Sequence, residues 1–341
     1  MSLSISILLF VSTIILLQIY IFFCKKNRIL LIIDDYKRKN IVNSSGIILF
    51  FLCTLISCII YLDENLKNII ELNVPRPVVF IISIFILSCV SLYDDIKPID
   101  FRIRLAFQIS TIFFSVSLIE FNFFPEIPLK LKQYVIIFFW VYFINLNNFL
   151  DGLDGYLLLN FINILAIIVI KYYFDNELII SSLIAINLLP VISAFLIFNF
   201  PKAKMFLGDT GSYIIGFLTG YIFFDLIKNS EFYIAFLVVL YQFSDVSITI
   251  FKKIMNGKKP WDRLFDYYFL KPVIKYRLSH LYSSIPFIIY SIINNLILVI
   301  FYFKMDINLF IIILLNIINL SFLLIYFNNP VKFLGFISKK N

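Results

Sequence analysis

Hydrophobic residues in this chain fall into eleven long blocks separated by short polar stretches: 3–23, 46–62, 77–93, 104–120, 133–149, 155–174, 178–198, 211–228, 232–250, 285–304 and 307–327. Within each block the apolar residues occupy every side of a helix, not one stripe, and the apolar/polar alternation of a barrel strand is missing. Each block holds 17 to 21 residues, close to the ~20 that carry a helix across a bilayer core. The pattern predicts an all-α, polytopic integral membrane protein with about eleven transmembrane helices. It predicts a single transmembrane domain over 1–341 that includes a basic loop, 251–284, too short to fold alone. The first block is too long for a signal-peptide core, lacks a positive leader, and precedes the first alanine, Ala106. It is expected to remain as a helix.

Composition sharpens this. Of 341 residues, 61% are hydrophobic and 15% charged, against roughly 45–50% and 25% in soluble domains. A soluble enzyme, a DNA-binding module and a disordered chain are excluded. The net charge of +8 would otherwise suggest nucleic acid, but the basic residues are distributed by side. Segments 24–45, 94–104, 199–210, 251–284 and 328–341 carry 22 of the 29 Lys and Arg. Cytoplasmic loops hold the Lys/Arg excess, so the N-terminus is expected outside, the C-terminus in the cytoplasm, and no nucleic-acid partner. All six Glu fall on the outer side, whereas ten Asp lie on the inner side with Asp245 inside a span. The cysteines Cys24, Cys53, Cys58 and Cys89 have no CxxC spacing and read as small apolar fillers.

Four inner segments could carry chemistry. In LYDDIKPIDFRIRLAFQ (92–108), Asp94 and Asp95 end a long apolar block. Adjacent carboxylates repel unless a cation compensates, and Mg²⁺ is a suitable one. A solvated helix end neutralised by Lys97 and Arg102 is the plainer alternative. In NLNNFLDGLDGY (145–156), Asn145 and Asn148 precede Asp151 and Asp154 at the same three-residue spacing. Such a polar run on an apolar helix marks a cavity, although a simple Asx/Gly turn would explain the glycines. In FNFPKAKMFLGDTGSYIIGF (198–217), a Gly-rich turn enters a helix whose N–H groups can hold phosphate, with Asp209 placed for a metal. Thr210 or Ser212 as an N-cap is the alternative. The loop 252–284 holds eight Lys/Arg and the only histidine, His280. It reads either as an anchor on anionic lipid or as a catalytic loop.

The charge asymmetry places all four segments on one face. Carboxylates, a Gly-rich helix start and cations at a membrane surface suit phosphoryl transfer from a soluble donor to a lipid acceptor. The motifs themselves are similar to a known group. DD at 94–95 followed by R-x-R-L-x-x-Q at 102–108, N-x-x-N-x-x-D-G-x-D-G at 145–155, N-F-P-x-A-K-x-F-L-G-D-T-G-S at 199–212 and S-H-L-Y at 279–282 resemble the polyprenyl-phosphate N-acetylhexosamine-1-phosphate transferases, in particular their O-antigen branch. The likeness covers roughly 30–284.

The resemblance implies transfer of a sugar 1-phosphate from a UDP-N-acetylhexosamine to undecaprenyl phosphate, with release of UMP, at the cytoplasmic face of the inner membrane. It implies Mg²⁺, with Mn²⁺ as an alternative, at Asp209 together with Asp94 and Asp151. Asp94 and Asp95 would act near the metal and the prenyl phosphate, one of them as base or nucleophile. Asn148, Asp151, Asp154 and Asn199 would line the nucleotide-sugar pocket, with Asn145 and Lys97 beside them. Phe206 would stack on uracil, and Arg277 and His280 would reach phosphates or sugar as loop catalytic and binding groups. A homodimer is a candidate assembly. The family's Pro-Arg-Gly-Gly stretch is reduced here to DDYKRKNIVNSSG (34–46), with Lys37, Arg38 and Lys39 as its substitutes. Arg277 stands where the branch has its first loop histidine, and the triple-histidine loop of the peptidoglycan enzymes is missing. A transporter with a polar site, a CDP-alcohol phosphotransferase and an inactive paralogue are the competing readings. The second wants D-x-x-D-G-x-x-A-R, yet Tyr156-Leu-Leu-Leu follows Asp154-Gly155.

Overall fold

The computed structural model of the chain describes residues 3–32, 41–62, 75–119, 124–259, 266–305 and 307–333. All eleven apolar blocks are helical. They are α1 (Leu3–Asn27), α2 (Gly46–Leu62), α3 (Pro75–Ile96), α4 (Phe101–Ser115, extended by a 3₁₀ turn at Val116–Leu118), α5 (Leu129–Leu150), α6 (Tyr156–Asp175), α7 (Ile180–Asn199), α8 (Gly208–Lys228) and α9 (Phe232–Met255). A short helix, α10 (Lys271–Ile274), precedes α11 (Leu281–Ile297), which continues as a π-helix over Leu298–Lys304, and α12 (Leu309–Asn328) follows. Among the described residues, ten helical segments are long and apolar enough to cross a membrane, and α2 is slightly shorter. The protein is a multi-pass, all-α membrane protein.

Backbone groups in a bilayer must be satisfied within the segment, and hydroxyls inside the helices follow the same rule. Ser88 and Ser91 of α3, Thr111 of α4 and Thr219 of α8 each donate to the carbonyl four residues earlier, at 2.6–2.8 Å. They add no unmet polar group to the span.

The chain packs as two compact units, Met1–Val239 and Leu240–Asn341. In the first, α8 is the central helix: 89% of its apolar window is buried, against 22% for α1. It packs against α2, α3 and α5, while α7 packs against α1 and α6. Small residues let helices approach closely. A Cβ on Gly216 would collide with the Ile144 backbone of α5, and one on Gly220 with the Trp140 ring. That ring donates to the Phe217 carbonyl at 2.9 Å.

Two short pieces of strand, Leu31–Ile32 and Ile41–Val42, pair antiparallel, and Val42 bridges to Met205. The loop 43–46 is thereby laid along the turn that enters α8. At the other end of α6 and α8, Lys171 is wholly buried and contacts Asp175 (3.1 Å), Glu231 (3.0 Å) and Glu177 (3.5 Å).

In the second unit α11 packs on α12. Asn319 donates to Asn294 Oδ1 (2.7 Å) and to the Tyr290 carbonyl (3.0 Å). The buried Asp245 accepts from the Tyr241 hydroxyl (2.9 Å) and from the N–H groups of Tyr268 (2.8 Å) and Phe269 (3.1 Å).

Candidate active site

The site is built around the first turn of α8. Gly208 holds φ +70°, a conformation suited to a residue without a side chain. Opposite it, Gly46 touches Gly211 so closely that a Cβ on Gly46 would overlap the Gly211 backbone. The loop is held there by Ser45 N donating to the Phe206 carbonyl (3.1 Å), Gly46 N to that of Leu207 (3.0 Å) and Phe206 N to that of Val42 (2.8 Å). Tyr20 of α1 donates to the carbonyls of Asn43 (2.9 Å) and Ser44 (3.1 Å).

A helix N-terminus leaves N–H groups unsatisfied and favours an anion. Here the anion is Asp95. Its Oδ1 accepts from Asp209 N (3.0 Å), and its Oδ2 from the hydroxyls of Ser44 (2.8 Å) and Thr210 (2.9 Å) and from Thr210 N (3.4 Å). The expectation of free N–H groups awaiting a phosphate is corrected, because a carboxylate from the end of α3 already caps α8. Nor is Thr210 or Ser212 the N-cap; that position is Leu207, without a side-chain bond.

Asp94 faces the other way. It accepts from Ile99 N (2.6 Å) and pairs with Arg104 Nη1 (2.6 Å), and its side chain is only 6% exposed. Arg104 therefore neutralises Asp94, in place of the expected Lys97 and Arg102, while Asp95 is met by hydroxyls and backbone N–H groups. Lys97 is exposed, and Arg102 lies over the Phe101 ring. Arg104 also reaches Asp209 Oδ2 at 3.4 Å. Asp209 Oδ1 accepts from Asn148 (2.9 Å), which also donates to Ser212 Oγ (3.0 Å). One turn earlier, Asn145 donates to Gln108 of α4 at 2.7 Å. The Asn ladder of α5 thus lines a polar seam. Asp209 remains the more open acid, with 23% of its side chain exposed.

Asp151 follows the last residue of α5, half-buried, with no hydrogen bond to its carboxylate among the described residues. Burial, followed by the charges of Asp209, Asp95 and Asp154, pushes it up to about 8. Asp154 and Asn199 are used by the fold. Asp154 accepts from Ala203 N (3.1 Å), and Asn199 bridges Gly155 N (2.6 Å) and the Met205 carbonyl (2.6 Å). Together they clasp the 199–207 turn beside Asp151. Phe206 is half-exposed beside Asn43–Ser45.

Among the described residues, no three His, Cys, Asp or Glu side chains form a ready group for a metal ion. The expected set of Asp94, Asp151 and Asp209 is thus not assembled as one cage, since Asp94 is taken by Arg104 and Ile99. The donor chemistry still fits a hard cation. Asp95, Asp151 and Asp209 interact, and among the described residues Arg104 contacts only Asp209 of the three and the carboxylate of Asp151 has no hydrogen-bond partner.

Arg277 and His280 lie in the second unit. Arg277 is exposed in a left-handed turn at φ +56°. His280 is half-buried at the start of α11, where its carbonyl accepts from Ser283 and Ser284. Lys37, Arg38 and Lys39 lie outside the described residues. Sequence reading missed Ser44 and Arg104 as site residues. Arg104 stands in the R-x-R-L-x-x-Q run and could have been found there, whereas Ser44 carries no such signal.

Residues 77–227, from α3 through α8, match the family profile described as Glycosyl transferase family 4. This stretch, just under half of the chain, is similar to glycosyl transferase family 4. It is 41% identical over 92 residues to the phospho-N-acetylmuramoyl-pentapeptide-transferase of Leuconostoc citreum, covering 26% of this chain and 28% of that protein. Identity is 34% over 128 residues to the enzyme of that name from Staphylococcus saprophyticus, or 37% and 38% of the two chains. For Dictyoglomus turgidum it is 29% over 187 residues, or 50% and 58%. The matches thus span less than two thirds of these relatives. The family 4 region contains Asp94, Asp95, Arg104, Asn148, Asp151 and Asp209, while Ser44, Arg277 and His280 fall outside it.

Proposed function

We propose that this chain transfers the 1-phosphate of an N-acetylhexosamine, or a related sugar 1-phosphate, from a UDP-sugar to undecaprenyl phosphate, initiating a cell-envelope polysaccharide. The observation that carries this reading is the meeting of Asp95, Arg104, Asn148 and Asp209, from four helices, at one end of an apolar bundle. An oxygen of the prenyl phosphate attacks the phosphorus bearing the sugar. The bond from that phosphorus to the UMP oxygen breaks, UMP leaves with the electron pair, and a polyprenyl diphosphate-sugar remains.

Such chemistry is mainly positioning and charge neutralisation. Arg104 supplies a guanidinium at the carboxylates, and Asn148 fixes the rotamer of Asp209. Mg²⁺, or Mn²⁺ in its place, would be held by Asp209 and Asp151, and when bound it would neutralise the diphosphate and steady the leaving phosphate. Asp95 acts as a positioning residue, with both oxygens engaged by the α8 turn. That engagement favours direct attack by the acceptor phosphate over a covalent aspartyl intermediate. Phe206 offers a half-exposed ring for uracil. The Lys/Arg asymmetry supports a reaction on the cytoplasmic side of the membrane.

The relatives' name makes a UDP-linked N-acetylmuramoyl-pentapeptide the competing donor. Membranes carrying the protein are incubated with undecaprenyl phosphate and labelled UDP-GlcNAc, UDP-QuiNAc, UDP-FucNAc or UDP-MurNAc-pentapeptide, and the lipid is extracted. Labelled lipid with matching UMP release is expected from one of the first three. Label only from the pentapeptide donor reassigns the substrate, and no labelled lipid from any donor overturns the transfer reading.

A further inference from the structure

The loop that rests on the entry to α8 carries three polar side chains in a row, Asn43, Ser44 and Ser45. Two of them are used by the fold. The Ser44 hydroxyl donates to Asp95 (2.8 Å), and that of Ser45 donates to the Phe206 carbonyl (2.9 Å). Asn43 differs. Its backbone is engaged, with the N–H donating to the Leu30 carbonyl (2.8 Å) and its own carbonyl accepting from Tyr20 (2.9 Å). Its side-chain amide has no hydrogen bond among the described residues, although the residue is only 7% exposed.

Polar groups at that depth are nearly always paired, and an unmade bond there is costly. Asn43 therefore lacks a partner that a ligand would supply. The amide is within reach of one. Its atoms are not among the occluded, unpaired ones, and Gly208, directly across from it, is half-exposed. A Cβ on Gly208 would stand 3.1 Å from Asn43 Oδ1 and 2.5 Å from Asp95 Oδ2. The amide oxygen thus looks across bare backbone, one residue from Asp209.

The loop holds the amide there in advance. Ser44 adopts φ +58°, a left-handed conformation that residues with side chains use sparingly and that persists where its surroundings fix it. Tyr20, on the Ser44 carbonyl at 3.1 Å, and Asp95, on its hydroxyl, do the fixing. Asn43 owes its place to these neighbours and spends none of its own side-chain bonds on it.

Charge and order indicate what the amide awaits. Oδ1 is an acceptor, and the other oxygen at Gly208 belongs to a carboxylate. A phosphate oxygen would meet only acceptors there, whereas a hydroxyl brings the proton that Oδ1 can take. Along the turn come Phe206, then Gly208 facing Asn43, then Asp209. In the UDP-sugar reading proposed above, Phe206 takes the uracil and Asp209 lies at the diphosphate. The group that joins a base to its diphosphate is the ribose.

We propose that Asn43 reads the ribose of the donor nucleotide, with Oδ1 accepting a hydrogen bond from its 2′- or 3′-hydroxyl, and so selects a ribonucleotide. The inference rests on the UDP-sugar reading.

The full chain, in detergent with Mg²⁺, is titrated calorimetrically with UMP, 2′-deoxy-UMP and 3′-deoxy-UMP. On the wild type one deoxy analogue should bind roughly 5-fold more weakly than UMP, the worth of one hydrogen bond. In Asn43→Ala, UMP should weaken by a similar factor, and the penalty for the missing hydroxyl should vanish because its acceptor is gone. A residue that only shapes the loop would weaken all three ligands alike and keep the discrimination. Equal affinity of the wild type for all three ligands overturns the contact and leaves the UDP-sugar reading standing, as does discrimination that survives in Asn43→Ala. No binding of UMP to the wild type overturns both. Should Asn43→Ala fail to fold, the near-isosteric Asn43→Leu, which fills the same space without an acceptor, takes its place.

Discussion

Two charged clusters occupy opposite ends of α6 and α8, each with one close cation among several acids. At one end Lys171 is fully buried and touches all three of its acids, Asp175, Glu177 and Glu231. At the other, Arg104 touches Asp94 and Asp209, Asp95 is satisfied by hydroxyls and backbone N–H groups, and among the described residues the carboxylate of Asp151 has no hydrogen-bond partner. The ratio of charges is similar, and the distribution of partners differs. The Lys171 cluster is closed on itself and ties loop ends together. The Asp209 cluster leaves acid unneutralised beside an open surface. Unmet charge, more than the number of acids, separates a site that calls for a ligand from a structural tie.

That contrast can be broken by exchanging its parts. Asp209→Asn should abolish transfer, by ~10³-fold or more if a metal ligand is lost, whereas Glu231→Gln should leave turnover nearly unchanged. Labelled lipid formed per unit protein measures both, and a Glu231→Gln variant as inactive as Asp209→Asn would erase the distinction. Lys171→Met should act oppositely. It removes the cation from three acids and should destabilise the protein by on the order of 3 kcal/mol, read by denaturation in detergent. Folded Lys171→Met should keep its turnover.

The third prediction concerns protons. The pKa of Asp151 is raised on folding, to about 8, so the folded state binds a proton that the unfolded state has released. Stability in EDTA should therefore fall as pH rises from ~4 through 8. Asp151→Asn, locked neutral, should be more stable than the parent above pH 8 and equal to it near pH 4, by melting in EDTA across pH. Parallel profiles would mean that Asp151 is not held in the cluster. The smallest effect belongs to Ser44→Ala. Asp95 keeps the Thr210 hydroxyl and two N–H donors, so a loss of ~1 kcal/mol is expected, with turnover reduced a few-fold.

The fold was legible because bilayer-spanning helices advertise themselves as unbroken apolar blocks. Their ends were less so. The sequence reading stops α1 at residue 23 and α3 at residue 93, but the helices continue through Lys25–Lys26 and Asp94–Asp95, since polar residues end hydrophobicity before they end hydrogen bonding. Within the site, Asp209, Asn148 and Asp151 stood out as polar groups in apolar surroundings. Their partners did not. Ser44 meets Asp95 across 51 positions, and Ser45 meets Phe206 across 161; neither pair leaves a periodic trace. The capping of α8 by Asp95 was hidden for the same reason, because a helix start rich in glycine looks alike whether its anion is a ligand or a distant side chain.

The meeting of Gly46 with Gly211 has one more consequence. Where two segments rest on each other through main-chain atoms, their spacing is a fixed gauge that no rotamer can adjust. Ser44 and Asp95 inherit their separation from that gauge. The tolerance of the whole carboxylate assembly is therefore set at a place with no chemistry of its own, and a single added methyl there would detune it without touching a reacting group.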